Sequence, residues 1–201
     1  MLEQVATKDI NTRIAHQVRE LRAERGLSLD ALAARSGVSR SMISLIERGE
    51  SNPTAAVLDR LAAGLGVPLA TLFDAPSRAV EPKPFLRRAE QPVWRDPASG
   101  YVRRNVSPPG YPSPIQIVDV HFPPGARVAY ESASRDVRVH QQVWIIEGAM
   151  ELTVGNDRPQ RLEVGDCLAM QLDVPMVFRN PTRKPARYIV VIVSELSRGM
   201  K

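Results

Sequence analysis

The 201-residue sequence predicts a two-domain chain, with a bundle of five short helices followed by an antiparallel β-barrel. Three observations carry that expectation. Apolar residues recur at helical spacing through the first 73 positions. Fifteen of the 17 prolines lie beyond that point, and from there short β-type runs alternate with Gly, Pro, Asn and Asp.

The helices follow in order. Ile14, Val18 and Leu21 fall at steps of four and three, one stripe of a first helix that stops near Gly26. Ser28 is placed to cap a short second helix carrying Leu32 and Ala33 and ending at Gly37. Ser39 caps a third, with Met42, Ile43 and Ile46 expected inward and Gly49 at its end. Ser51-Asn52-Pro53 is a loop, Thr54 opens a fourth helix with Leu58, Leu61 and Leu65, and Val67-Pro68 leads into a fifth that ends near Phe73. The Gly37 turn between helices two and three has the length of a helix-turn-helix, whose second helix sits in the DNA major groove. Val38, Ile43 and Ile46 would then dock that helix, leaving Ser39, Arg40, Ser41 and Ser44 on its outer face.

Residues 74–84, DAPSRAVEPKP, read as an extended tether. Beyond it, PVWRD, GYVRRNVS, IQIVDVHF, QQVWIIEG, MELTVG, QRLEVG, CLAMQL, MVFRN and ARYIVVIVS are short strands separated by turns, the pattern of a sandwich or barrel.

The formal charge of +5 is unevenly placed. Residues 1–75 hold nine Lys+Arg against nine Asp+Glu, residues 76–112 seven against three, and residues 113–201 eleven against ten. The excess lies around Arg78, Lys83, Arg87, Arg88, Arg103 and Arg104, so net charge alone does not mark the helical half as the DNA binder. One cysteine, Cys167, excludes an internal disulfide. Without a ~20-residue apolar run or a signal-peptide core at MLEQVATKDI, a soluble cytoplasmic protein with no membrane partner is expected.

The stretch VRELRAERGLSLDALAARSGVSRSMISLIERGESNPTAAVLDRLAAGLGVPLATLF resembles the Xre family of phage-repressor-like regulators from end to end, with LSLDALA, SGVSRSMIS, IERG and the NPT loop at the family spacing. The resemblance implies double-stranded DNA as partner and a homodimer on a palindromic operator. Its base-reading positions are here Arg40 and Ser41, with Ser44 and Leu45, and its phosphate-facing positions are Ser28, Arg48 and the Asn52 loop. Leu29 stands where many relatives carry a polar base-contacting side chain and offers only apolar contact. Arg22 and Glu47 match positions that pair across helices one and three, a structural role rather than a DNA contact.

The pieces PPGARV, HQQVWIIEGAMELTVG, LEVGDCLAM and FRNPTRKPARYIVVIV, in this order, resemble the cupin fold over roughly residues 112–196. The two resemblances set the expected domains at 10–74 (helix-turn-helix) and 85–197 (cupin), with a linker at 75–84. Metal-dependent cupins use three histidines and a glutamate. The matching positions here are Ser134, Asp136, Gln141 and Met176, so no metal, cofactor or catalysis is expected. His140 reads as a hydrogen-bonded barrel residue and Cys167 as a buried, inert thiol.

What remains is a barrel that can bind. Gln141, Val143 and Ile145 alternate onto one face and Gln142, Trp144 and Ile146 onto the other, and either set can line the lumen. The cupin register puts Gln141 and Val143 inward with Met176 and Phe178 across, and Arg127 and Tyr130 at the rim, a candidate site for a small-molecule effector. A cupin enzyme with a DNA-binding domain, or a constitutive repressor with a purely structural barrel, are the other readings.

Overall fold

The computed structural model describes residues 2–73, 83–131 and 137–196. Its helical half contains α1 (Leu2–Glu24), α2 (Leu29–Ser36), α3 (Arg40–Glu47), α4 (Ala55–Gly64) and a 3-10 helix (Leu69–Phe73). α1 begins well upstream of its apolar stripe, since no proline or glycine interrupts the chain before Gly26. The expected fifth α-helix is instead a single 3-10 segment. At five residues, Leu69–Phe73 is too short to establish an α-helical ladder.

The remaining helix ends follow the capping chemistry of the sequence. Ser28, Ser39 and Thr54 each accept a hydrogen bond from a backbone N–H three residues on, at 3.0, 3.3 and 3.4 Å. Gly37, at φ 66°, closes α2 by donating to Ala33 O. A side chain there would strain a left-handed backbone.

Among the described residues the β half holds ten strands: β1 (Val93–Arg95), β2 (Val102–Asn105), β3 (Ile115–Phe122), β4 (Arg127–Tyr130), β5 (Val137–Glu147), β6 (Ala149–Val154), β7 (Gln160–Glu163), β8 (Cys167–Gln171), β9 (Met176–Arg179) and β10 (Ala186–Leu196). They form a six-stranded sheet, β1-β2-β3-β10-β5-β8, and a four-stranded sheet, β4-β9-β6-β7, with every pairing antiparallel. This interleaving, in which consecutive strands cross between sheets, is the jelly roll of the cupin fold. Gly148 makes the tight β5–β6 turn at φ 75°, where an added Cβ would lie 2.5 Å from Pro185 O.

The two halves share one hydrophobic core, running from Ile14, Leu58 and Leu72 in the helices to Val118, Val143 and Phe178 in the sheets. Seven rings chain across the seam and into the sandwich: Phe73, Trp94, Tyr101, Phe122, Tyr188, Phe178 and Tyr130, with successive centroids 5.5 to 6.0 Å apart. Asp96, only 2% exposed, reaches from the β half to accept a 2.9 Å hydrogen bond from Ala55 N at the start of α4. A carboxylate at that helix terminus also meets the positive end of the helix dipole. The helical half is therefore docked on the β half.

Candidate functional site

On α3 the two faces separate cleanly. Ile43 and Ile46 are at most 1% exposed and, with Val38, seat the helix against α1 and α2. Arg40 and Ser41 are exposed at its first turn, beside the capping Ser39, whose Oγ lies 3.2 Å from that of Ser41. Ser44 and Leu45 are half-buried one turn further on, while Arg48 and Asn52 are exposed beyond its C-terminus. Met42, expected inward, is exposed and receives the Ser51 hydroxyl at 3.7 Å. It stands about 100° around the helix from Ile43, off the buried stripe.

Two of the candidate DNA contacts make surface ion pairs. Arg40 Nε lies 3.3 Å from Asp30 Oδ1, and Arg48 Nη2 lies 2.8 Å from Glu50 Oε2 while its Nη1 donates to Ser44 Oγ. Such exposed pairs are weak enough to exchange for phosphate or guanine. Ser28 is exposed at the N-terminus of α2, whereas Leu29 is half-buried and packed on the core, leaving it less of the apolar contact expected of it.

Glu47 faces away from this surface. Its carboxylate takes a two-pronged bond from Arg22, Nε to Oε1 at 2.6 Å and Nη2 to Oε2 at 2.8 Å, while Arg22 Nη1 donates to Leu27 O at 2.8 Å. The side chains are 18% and 8% exposed, and the bond to Glu47 raises the Arg22 pKa further. The pair fixes α3 to α1 and so sets the angle at which Arg40 is presented.

In the β half, Tyr130, Gln141, Met176 and Phe178 line a cavity of about 60 Å³ between the two sheets, bordered on the helical side by Asp59, Pro68, Leu69 and Ala70. Two other candidate residues lie elsewhere. Val143 is fully buried in packed core, and Arg127 is exposed on β4 opposite Arg179. Sequence reasoning missed Tyr101, Arg103 and Tyr188, which line this cavity from β2, its preceding turn and β10. Burial pushes the phenols of Tyr130 and Tyr188 well above their ordinary range and raises that of Tyr101, so all three stay neutral.

A larger cleft, about 350 Å³, adjoins the cavity at Ala70 and Arg103 and opens along β2, β3 and the Ser107–Ser113 loop. Of the four metal positions, Ser134 and Asp136 lie outside the described residues, and Gln141 and Met176 offer an amide and a thioether. Among the described residues no three His, Cys, Asp or Glu side chains cluster as ligands. Cys167, expected buried, is exposed on the outer face of β8 with its Sγ 3.9 Å from Gln142 Oε1, and His140 is exposed on the same face.

Comparisons with known proteins agree with this geometry. The helix-turn-helix (HTH_3) family model matches residues 18–72. The chain is 32% identical over 165 residues to the HTH-type transcriptional regulator SutR of Escherichia coli K12, covering 81% of this chain and 84% of SutR. It is 24% identical over 171 residues to the regulator PuuR of the same organism, covering 85% and 89%. The crystal structure of an HTH_3-family transcriptional regulator from Vibrio cholerae superposes with a TM-score of 0.73 at 25% identity, covering 93% of this chain and 98% of that one. Among the described residues no helix is long and apolar enough to cross a membrane. The chain belongs to the Xre-like helix-turn-helix family of transcriptional regulators, with a cupin domain following the DNA-binding one.

Proposed function

We propose that this chain regulates transcription by gripping a palindromic operator as a homodimer, with a cupin domain that answers to a small-molecule effector. The observation that carries the reading is the division of α3 into a buried apolar face and an exposed face bearing Ser39, Arg40 and Ser41. Arg40 reads a base edge, and Ser28, Arg48 and the Asn52 loop hold phosphates on either side. Domain limits near 10–74 and 85–197 fit this division of labour. The protein works by binding: its relatives are named as regulators, and Gln141 and Met176 replace metal-ligating side chains.

Dimerisation falls to the outer face of the six-stranded sheet. There Ile189 lies beside Trp144, Val191 beside Ile117 and Val193 beside Ile115, so apolar side chains run along β10 with an apolar neighbour on one flank of each. Trp144 and Ile115 are 49% and 46% exposed on it. A second copy stacked on this face forms a sheet-on-sheet contact about 10 Å thick. Footprinting on a selected site tests the whole reading: two protected half-sites about one turn, ~34 Å, apart support it, and a single unpaired footprint contradicts it. Trp144→Glu should halve the mass measured by light scattering, and an unchanged dimer would move the interface elsewhere.

A further inference from the structure

The sandwich cavity, at about 60 Å³, has room for about two waters at ~30 Å³ each and is a poor container for an effector. The neighbouring cleft, at about 350 Å³, takes roughly a dozen non-hydrogen atoms on the same scale. Its polar wall is built by strand alternation. Arg103 and Asn105 on β2 pair with Val120 and Val118 on β3, and Gln116 precedes Val118 by two residues, so all stand on the inner face of the sheet.

Among the described residues lining the cleft, Arg103 is the one that carries a charge. It is 6% exposed and rigidly held: its guanidinium lies over the Phe73 ring at 4.8 Å and its Nε–H donates to Asn105 Oδ1 at 3.0 Å. Beside it, Gln116 Oε1 is buried and accepts no hydrogen bond. The rest of the wall is largely apolar, with Pro84, Pro108, Tyr111 and Val118. A fixed, planar cation suits a carboxylate, and an unanswered amide oxygen suits a hydroxyl or ammonium donor.

We propose that this cleft is the effector site and that it takes a small hydroxy- or amino-carboxylate, with the carboxylate at Arg103 and the donor at Gln116. The proposal deepens the regulator reading and rests on it for its biological sense. Ala70 of the 3-10 helix forms part of the wall, so an occupant touches the DNA-binding half directly. It shifts DNA affinity only by as much as it binds the DNA-bound and DNA-free forms of the chain unequally.

The test needs no DNA, so it fails or succeeds apart from the operator claim. Full-length protein is titrated calorimetrically, with parallel melting curves, against glycolate, lactate, malate and glutamate. Lactamide serves as the uncharged mate, and sulfate and phosphate as inorganic oxyanions. At least one carboxylate should bind saturably, one per chain, and raise the melting temperature, while lactamide does neither. Arg103→Gln should abolish binding, and Gln116→Leu should weaken it about tenfold. Val139→Ile, which adds a methyl beside the sandwich cavity, should leave the affinity unchanged. If Arg103→Gln does not fold, the other two variants still decide. Saturation by no carboxylate, binding of the inorganic ions alone, wild-type affinity in Gln116→Leu, or affinity lost in Val139→Ile would each overturn the assignment.

Discussion

Replacing Asp96 with alanine should loosen the DNA-binding half from the jelly roll, and the structure sets the size of the effect. Asp96 Oδ1 accepts from Ala55 N at 2.9 Å, and Oδ2 accepts from Ser99 N at 2.8 Å and from the Ser99 hydroxyl. Alanine leaves the Ala55 and Ser99 amides without these acceptors, at about 1–3 kcal/mol for a buried donor. It also removes a charge from the α4 terminus, worth about 0.3–1 kcal/mol and up to ~2 when partly buried. The expected loss is roughly 2–4 kcal/mol, or about 4–15 °C in melting temperature for a chain of this size. Asp96→Asn, which keeps an acceptor for Ala55 but no charge, should recover part of it. Urea and thermal melts followed by circular dichroism measure both. A loss below about 0.5 kcal/mol in Asp96→Ala, or wild-type melting in two separated transitions, would refute the single shared core.

Other outcomes follow from the same geometry. Arg40→Ala should relax specificity at one base position by roughly 1–3 kcal/mol, whereas Arg48→Ala should weaken all sequences alike and flatten the salt dependence by about one phosphate; binding titrations at several salt concentrations separate the two. Glu47→Ala should cost roughly 2–3 kcal/mol of stability by stranding Arg22, and a variant that melts like wild type would contradict the structural role of the pair. Alkaline stability should also be asymmetric. Burial raises the Tyr101, Tyr130 and Tyr188 phenols above the ordinary 10.0, so the folded state holds protons that the unfolded chain releases. Their stabilisation is complete below that value and is lost as pH climbs through the folded values. Phenolate absorbance from these three should therefore appear together with loss of near-ultraviolet dichroism, and its appearance in a still-native protein would contradict their burial.

The helix-turn-helix was legible because its determinants are local. Ser28, Gly37, Ser39 and Thr54 cap or end helices with their own neighbours, and Val38, Ile43 and Ile46 repeat at the helical period. Cys167 could have been placed the same way, since Leu168 and Met170 alternate against it and turn it outward. The seam between the halves was not legible. Asp96 reads as one more loop acid, and its partner Ala55 lies 41 positions away with no local signal joining them. Arg103 counted only as part of the basic excess over residues 76–112, and only the folded chain shows it buried beneath Phe73. The effector residues were half-legible for a related reason. The jelly-roll register places Gln141, Met176 and Phe178 inward, but how far the side chains fill the space between the sheets depends on packing across them.

The measurement that bears most directly on the central claim is selection of sheared genomic DNA from the source organism on the purified full-length protein at moderate salt, followed by sequencing of what is retained. A sequence-specific dimeric regulator should enrich a small number of fragments sharing one palindrome, with half-sites about one helical turn apart, and Arg40→Ala should blur that palindrome at one symmetric position. Flat retention across the genome, unchanged when the selection is repeated with the carboxylates above, would contradict the account.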